Sequence, residues 1–272
     1  MNNLHLSKTL FFVLSLGSFI FLSCGEPELT FKTKGSLSGT VSDASNGNAI
    51  SGVTITNSLD SSTTTTDSSG DFSFSSLSPG SHNFSFDHGS YTAQSANFTV
   101  ESSTITNGNI SLLNSTLSTN IISIVLTWGA SPEDLDSHLY IPVGGSSTTE
   151  ILHSSKGDED RADAPHAYLD VDDTSKYGPE TTTIRFNSGA TDYNRTYRFF
   201  VGNYSQAQDG SSTKFKNSSA VVRFYKNGSL IKTWEAAKTA TDIWWHVFDM
   251  GSDGTVTSKD TYSSSKPAVL YE

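Results

Sequence analysis

Short runs in which apolar residues alternate with Ser and Thr recur along most of the chain. Phe72 and Phe74 stand two positions apart, as do Phe84 and Phe86, and glycines mark the neighbouring turns. A period of two is typical of strands with one buried face, and turns every eight to twelve residues or so are typical of a β-sandwich. No segment has a convincing helical period. We therefore predict an all-β chain with very little helix, arranged as two tandem β-sandwiches.

The start of the chain has a different composition. Lys8 lies in a short polar lead, an apolar run extends from Leu10 to Leu22, and Cys24 follows as the only cysteine of the chain. The run is too short to cross the roughly 30 Å hydrocarbon core of a bilayer and fits the apolar region of a signal peptide. A single cysteine excludes an intramolecular disulfide.

A lone cysteine directly after such a run resembles the lipobox of bacterial lipoproteins, with Phe21-Leu22-Ser23 in place of the usual Leu-Ala-Gly. Relaxed boxes of this kind are similar to those of spirochaetes. The resemblance implies that residues 1–23 are removed and that Cys24 is lipidated. An ordinary secretory signal with an incidental cysteine is the alternative. Gly25 after the cysteine, where an inner-membrane retention signal would have aspartate, favours the outer membrane or the cell surface.

The chain is acidic, with a formal net charge of −11, and removal of residues 1–23 would take away only one cation, Lys8. An acidic body repels phosphate backbones and anionic headgroups. We therefore expect no nucleic-acid partner, and we expect the lipid anchor to make the contact with the membrane.

Composition and turn signals divide the chain into consecutive segments. Polar residues with a proline predict a tether before the first sandwich, and a Ser/Thr-rich stretch predicts a connector between the sandwiches. The predicted segments are a signal peptide at 1–23, a lipidated tether at 24–34, a first sandwich at 35–113, a linker at 114–120, a second sandwich at 121–260 and a tail at 261–272.

Residues 35–113 resemble the carboxypeptidase regulatory-like domain. The matching motifs are Gly39-Thr40-Val41-x-Asp43, Ile50-x-Gly52-Val53-x-Ile55, Thr66-Asp67-x-x-Gly70-x-Phe72 and Leu77-x-Pro79-Gly80. The resemblance implies a prealbumin-like, Ig-like sandwich grouped with carbohydrate-binding-like folds. It implies no activity, and the chain has no His-x-x-Glu pair of the kind a zinc peptidase needs.

The second sandwich begins with a near-continuous apolar run, IISIVLTW at 121–128, which predicts a strand buried on both faces. Asn227-Gly228 between two apolar runs predicts a two-residue hairpin turn. Further strands are expected at 137–141, 150–153, 167–171, 181–186, 196–204, 220–225, 230–234, 243–250 and 255–259.

Acidic residues recur at one-residue spacing in this second half. Asp134 and Asp136 follow the first strand, while Asp170 and Asp172 lie near Glu180 beyond them. Ca²⁺ takes about six to eight oxygen ligands, commonly carboxylates spaced in this way together with backbone carbonyls. We name Asp134, Asp136, Asp170 and Asp172 as a candidate Ca²⁺ site. The alternative, that these aspartates cap turns, stays open at this point.

Residues 121–260 also resemble an uncharacterised bacterial secreted domain with no assigned activity. The segments that carry the resemblance are Leu126–Gly129, Pro132–Leu139, Leu169–Asp173, Tyr177–Glu180, Tyr197–Tyr204 and Trp244–Phe248. His138 and His246 within them are either ligands or histidines satisfied by backbone carbonyls. The aromatic residues fill the core or form a sugar-stacking platform. They are Trp128, Trp234, Trp244, Trp245, Tyr193, Tyr197 and Tyr204.

Catalytic motifs are missing from the sequence. The string Gly129-Ala130-Ser131-Pro132-Glu133 lacks the final glycine of a serine-hydrolase elbow, and no His-Glu-x-x-His occurs. We expect a non-catalytic surface lipoprotein that recognises a carbohydrate, a host component or an envelope component. A secreted hydrolase that uses the carboxylates of the second sandwich, and a purely structural envelope scaffold, are the alternatives.

Overall fold

The computed structural model describes residues 33–116, 120–143, 147–158, 166–186, 196–209 and 214–268. Strands dominate these residues, and the helices are two short ones, α1 (Tyr204–Asp209) and α2 (Phe215–Ser218). The expectation of an all-β sandwich fold with very little helix is confirmed. Cys24 and the predicted signal peptide lie outside the described residues. Within the described ranges, no helix is long and apolar enough to span a bilayer.

Two sheets make up the first sandwich. Its strands are β1 (Gly35–Asp43), β2 (Thr54–Asn57), β3 (Thr63–Thr65), β4 (Asp71–Leu77), β5 (Gly80–Asp87), β6 (Gln94–Val100), β7 (Ile105–Asn107) and β8 (Ile110–Leu112). One sheet has the order β4-β1-β7, with β8 also paired to β1, and the other has the order β3-β2-β5-β6. The strands β3, β7 and β8 were not predicted, because runs of three residues are too short for alternation to register.

The core of the first sandwich follows from the predicted alternation. Phe72 and Phe74 on β4 face Phe84 and Phe86 on β5, and their rings meet edge-on or tilted at 5.0–5.7 Å between centroids. The turn into β4 requires glycine at position 70, where φ is +74° and a Cβ would lie 2.6 Å from the Val41 carbonyl oxygen. This explains why the Thr66-Asp67-x-x-Gly70-x-Phe72 motif has glycine at this position.

The second sandwich is also built of two sheets. Its strands are β9 (Ile121–Thr127), β10 (Asp136–Val143), β11 (Ser147–Ile151), β12 (His166–Val171), β13 (Glu180–Arg185), β14 (Tyr197–Gly202), β15 (Val221–Lys226), β16 (Ser229–Glu235), β17 (Trp244–Met250) and β18 (Val256–Ser263). The sheet orders are β12-β13-β9-β15-β16 and β11-β10-β14-β17-β18. The hairpin between β15 and β16 turns at Asn227 and Gly228, both with positive φ, as the dipeptide predicted.

Aromatic stacking organises the core between these two sheets. Phe248 is fully buried and stacks on Phe199 at 5.3 Å and on Trp234 at 4.8 Å, while Phe224 meets it edge-on at 5.5 Å. Large rings in such contacts contribute most of the apolar area that a core of this kind buries. The low apolar fraction of the chain, 35%, is therefore compensated by a few large side chains.

Strand β9 is buried on both faces, as the apolar run predicted. Its inner face packs in the core of the second sandwich, while Val125 on the outer face joins Tyr225, Ala44 and Leu113 in a separate small cluster. Ala44 and Leu113 belong to the first half of the chain. The two sandwiches therefore meet through a buried apolar contact.

Hydrogen bonds reinforce this contact between the sandwiches. The Gln94 side-chain amide donates to the Tyr225 hydroxyl, and the Thr181 hydroxyl donates to the Ala44 carbonyl. The Thr92 hydroxyl donates to the Gly228 carbonyl. Each bond satisfies a polar group that the contact removes from water, which is the condition for such an interface to be stable.

Candidate cation site

Three carboxylates converge at one end of the second sandwich, where β10 and β13 begin. Asp136 is the first residue of β10, Asp134 precedes it by two, and Glu180 is the first residue of β13. Leu135 between the aspartates is fully buried in the core. The backbone N–H of Ser137 donates to Glu180 Oε2 at 2.5 Å, which ties the two strand ends together across the sheets.

The three carboxylates lie close to one another and are shielded from water. One oxygen from each carboxylate lies within 4.8 Å of the other two. Asp134, Asp136 and Glu180 are 9%, 4% and 1% exposed, and no described residue donates to Asp134 Oδ1 or Glu180 Oε1. Carboxylate oxygens removed from water without a donor are unfavourable, and a bound cation would remove the cost.

Two basic side chains and a fourth carboxylate surround this group. Asp172 adds a negative potential at Asp134 and Asp136, and its Oδ2 pairs with Lys156 Nζ at 2.6 Å. Asp172 Oδ1 is buried without a hydrogen-bond partner among the described residues. His153 Nδ1 lies 3.4 Å from Asp136 Oδ2. Four carboxylates therefore face one lysine and one histidine.

The electrostatics of the site favour protonation when no cation is bound. Burial, reinforced by the charge of Asp172, raises the pKa of Asp134 to about 6. Burial and then the charge of Asp134 raise the pKa of Asp136 to about 7. Burial also raises the pKa of Glu180 well above its usual range. A divalent cation would reverse these shifts, because it favours the charged forms.

The site overlaps with the predicted ligand set and departs from it at one position. Asp134 and Asp136 come together with Asp172 beside them, whereas Asp170 is not part of the group. Asp170 lies at a register irregularity between Leu169 and Val171, and β12 ends at Val171. The alternation that would place Asp170 and Asp172 on one face therefore does not continue through both. Glu180 takes the place that the spacing had suggested for Asp170.

The two histidines are satisfied by carboxylates rather than by backbone carbonyls. His138 Nδ1 lies 2.7 Å from Glu150 Oε1, and His246 Nε2 lies 2.8 Å from Asp249 Oδ1. His138 does not join the acidic group, because the pairing of β10 with β11 places Glu150 next to it. Hydrogen bonds from His138 and Lys266 outweigh burial and lower the pKa of Glu150 to about 2.

Most of the aromatic residues fill the core, which argues against a stacking platform built from all of them. Trp128, Trp234, Trp245 and Tyr197 are buried. Trp244 is half-buried and meets His138 edge-on at 4.7 Å. Tyr204 on α1 is exposed and meets His153 edge-on at 5.6 Å, beside the acidic group. Tyr193 lies outside the described residues.

In the metal-free protein we expect stability to fall as the pH rises from about 4 to about 7. Unfolded aspartates titrate near 3.9, so the raised pKa values of Asp134 and Asp136 let the native state hold extra protons in this window. Their contribution is complete below pH ~4 and is lost as the pH passes the folded pKa values.

Urea denaturation in a chelator at about pH 5 and about pH 8 measures this slope. Asp136→Asn should flatten it, because the amide does not titrate. Glu150 adds no slope here, since its pKa is lowered and its contribution is already complete above pH ~5. Burial lowers the pKa of His138, which adds an opposing rise with pH to both proteins. A slope that is the same in the wild type and in Asp136→Asn would contradict the expectation.

Comparison with known proteins gives a family match for the first sandwich. Residues 36–113 match the model of the carboxypeptidase regulatory-like domain. No curated protein sequence matches the chain.

Solved structures similar to this chain include SAV2460, GBS52 and a candidate carbohydrate-binding protein from Bacteroides uniformis. SAV2460, a protein of unknown function, is 14% identical, with a TM-score of 0.41, over 55% of this chain and 92% of its own. GBS52, the minor pilin of Streptococcus agalactiae, is 18% identical, with a TM-score of 0.27, over 30% of this chain and 45% of its own. A candidate carbohydrate-binding protein from Bacteroides uniformis is 11% identical, with a TM-score of 0.26, over 75% of this chain and 97% of its own.

The chain spans less than half the length of the pilin. At such TM-scores these likenesses carry no argument about function. The family match, together with the paired sheets of β1 to β8, identifies residues 36–113 as a carboxypeptidase regulatory-like domain.

Proposed function

We propose that the protein is a lipid-anchored, non-catalytic recognition module of a bacterial cell envelope, held at the outer membrane or cell surface through Cys24. It binds a carbohydrate or a protein component of a host or envelope. Its second sandwich holds Ca²⁺ between Asp134, Asp136 and Glu180, with Asp172 beside them. The observation that carries the cation site is the convergence of three buried carboxylates, two of which have an oxygen without a donor.

The ligand chemistry favours calcium. Carboxylate oxygens are hard donors, and Ca²⁺ accepts irregular sets completed by backbone carbonyls and water. Mg²⁺ demands near-octahedral geometry and gives up its water reluctantly, so it is a poorer match for a dry cluster of carboxylates. Thiolate and imidazole ligands, which softer metals prefer, are absent from the group of Asp134, Asp136 and Glu180.

The burial of the same carboxylates argues against glycoside hydrolysis. The two carboxyl groups of a glycosidase flank the sugar, about 5–5.5 Å apart in retaining enzymes and further apart in inverting ones. Asp134, Asp136 and Glu180 are at most 9% exposed, so a sugar ring has no access between them. This burial supports a shared cation over the hydrolase alternative.

The place of the site in the sandwich supports recognition. Loops at the end of a sandwich carry binding residues in many surface domains. Here the acidic group joins the ends of β10 and β13 beneath His153 and the exposed Tyr204. A cation would hold these loops in one arrangement and so reduce the entropy that a ligand must remove.

Calorimetric titration of Ca²⁺ into the chelator-treated protein tests the cation. We expect one Ca²⁺ per chain, with the affinity reduced by about tenfold or more in Asp136→Asn, because the charge of the ligands tunes calcium affinity. Asp87→Asn is the matched control, since Asp87 is exposed at the end of β5. Absence of binding at millimolar Ca²⁺ would remove the cation from the proposal.

The anchor has its own expected result. Cells that express the protein in the presence of labelled palmitate should label the wild type and not Cys24→Ser, because Cys24 is the only cysteine of the chain. Several fatty chains hold a protein on a membrane far more firmly than one does. The unlabelled variant should therefore also leave the membrane fraction, and equal labelling of both proteins would exclude the lipid anchor.

A glycan array distinguishes recognition from the alternatives. Binding to a restricted set of glycans without turnover supports a recognition module. Binding to no glycan and to no envelope extract supports the scaffold alternative. Release of cleaved glycan or ester product would favour the hydrolase, and that product should disappear in Asp136→Asn.

A further inference from the structure

A groove of about 580 Å³ runs between the two sandwiches. Consecutive residues of β6, from Gln94 to Thr99, line one side, so the edge of this strand faces the groove. Residues of β9, β15 and β16 line the other side, together with Trp128 and Tyr177. The volume is within the range of small-ligand sites, which is about 300–1,000 Å³.

A buried, positively charged side chain lines this groove. Arg223 is on the face of β15 that points away from the core of the second sandwich, and it is 8% exposed. It stands opposite Val125 on one neighbouring strand and Thr233 on the other. Its position between the sandwiches follows from strand alternation, because Val222 and Phe224 on either side of it belong to the core.

The guanidinium of Arg223 has unused hydrogen-bonding capacity. An arginine carries five N–H donors, and here the described residues accept one bond, from Nη1 to Thr127 Oγ1 at 3.2 Å. No carboxylate in the described part of the chain forms an ion pair with it, although the charge of Glu235 acts on it. The remaining donors are therefore available to a ligand in the groove, where a carboxylate would pair with a largely buried charge.

The rest of the lining matches a ligand with hydroxyl groups. Ser95, Asn97, Thr106 and Asn109 are among the uncharged hydrogen-bonding residues along the groove, and half-buried Tyr177 also lines it. Exposed Glu235 and Lys238 carry opposite charges and nearly offset each other. The specific charge in the groove is therefore that of Arg223.

We propose that this groove binds a short acidic oligosaccharide, with the carboxylate of a uronic acid on Arg223. The planar guanidinium matches a carboxylate with two parallel hydrogen bonds. The amides and hydroxyls accept and donate to the sugar hydroxyls, and half-buried Tyr177 adds apolar surface against which a sugar ring can pack.

An extended peptide added to the edge of β6 is the competing occupant. It fits less well, because the Thr99 carbonyl on β6 already accepts a hydrogen bond from the Thr106 hydroxyl. The inference rests on the proposed recognition function and specifies its ligand class and position.

Calorimetric titration of trigalacturonate into the full-length protein tests the proposal. We expect the wild type to bind and Arg223→Gln to bind more weakly by roughly 30-fold or more. Arg223→Lys should show an intermediate loss, because lysine keeps the positive charge but cannot form two parallel hydrogen bonds with a carboxylate. The methyl ester of trigalacturonate should bind as weakly to the wild type as trigalacturonate binds to Arg223→Gln. The melting temperature of Arg223→Gln should be unchanged or higher, since the substitution removes a buried charge.

Arg198→Gln is the matched control, because Arg198 lies in the other sheet of the second sandwich and does not line the groove. Trigalacturonate binding that is absent, that equals binding of the ester, or that survives Arg223→Gln would overturn the proposal. So would binding of an acidic strand-forming peptide in preference to the sugar. If a glycan array is positive and Arg223→Gln retains the signal, the recognition function stands and only the groove assignment fails.

Discussion

Phe248→Ala is expected to destabilise the protein by about 3–5 kcal/mol, the largest effect of any substitution considered. Phe248 has no exposed surface, and stacked or edge-on rings from Phe199, Trp234 and Phe224 surround it. Alanine would leave a cavity that rigid aromatic neighbours cannot fill. Urea denaturation followed by tryptophan fluorescence measures the loss, because Trp234 lies against the site.

Two further variants calibrate that result. Phe248→Leu keeps most of the volume and should cost clearly less than alanine. Leu59→Ala removes a side chain that is 68% exposed and should change stability by no more than about 0.5 kcal/mol. A cost for Phe248→Ala as small as that of Leu59→Ala would show that the stacked rings do not support the fold.

Calcium is expected to raise the melting temperature of the wild type and to leave that of Glu180→Gln unchanged. A ligand at about a hundred times its Kd stabilises the native state by about 2.7 kcal/mol, which for a chain of this size is a rise of roughly 5–11 °C. Glu180 is the most buried of the three carboxylates, so its charge is the most dependent on a cation.

Without metal, Glu180→Gln should not destabilise the protein. Glutamine keeps the shape of the side chain and an oxygen that can accept from the Ser137 N–H. It also removes the repulsion from Asp136 and Asp172. Metal-free Glu180→Gln should therefore be at least as stable as the metal-free wild type.

Calorimetry in chelator and in Ca²⁺ gives both measurements, with Glu101→Gln, an exposed residue after β6, as the control. An equal calcium shift in Glu180→Gln would exclude this carboxylate as a ligand. Loss of stability in the metal-free variant would indicate that the glutamate has a structural role instead.

Strand positions were accessible from the sequence because they depend on local signals. The continuous apolar run of β9 and the Asn227-Gly228 turn predict features that the structure confirms. The strand β7 escapes detection, since its three residues include one apolar side chain, Ile105, which is exposed. Its pairing with β1 is parallel and joins residues far apart in the sequence.

The acidic group was only partly accessible. The spacing of Asp134 and Asp136 signals a shared position, but the partner Glu180 arrives from a different sheet. Asp170 and Asp172 have the same spacing, but β12 ends between them, so strand alternation does not carry both to one face. The spacing of residues within one segment can predict which of them share a strand face. It cannot identify the residue that a second strand brings to the same place.

The role of Arg223 was not accessible at all. Within β15 the residues from Val222 to Tyr225 are all buried, so burial alone gives no clue to which face each one occupies. Only the contact between the sandwiches places Arg223 and Tyr225 against the first half of the chain. A charged residue inside an apolar strand was the available signal, and it pointed to no particular ligand.

The double burial of β9 has a consequence for how this protein can be divided. Without the first sandwich, Val125 and Tyr225 would face water, and this exposed apolar surface would promote self-association. Without the second, Ala44 and Leu113 would be exposed in the same way. The smallest part of the chain that should be transferable to another protein without new exposed apolar surface is therefore the pair of sandwiches together.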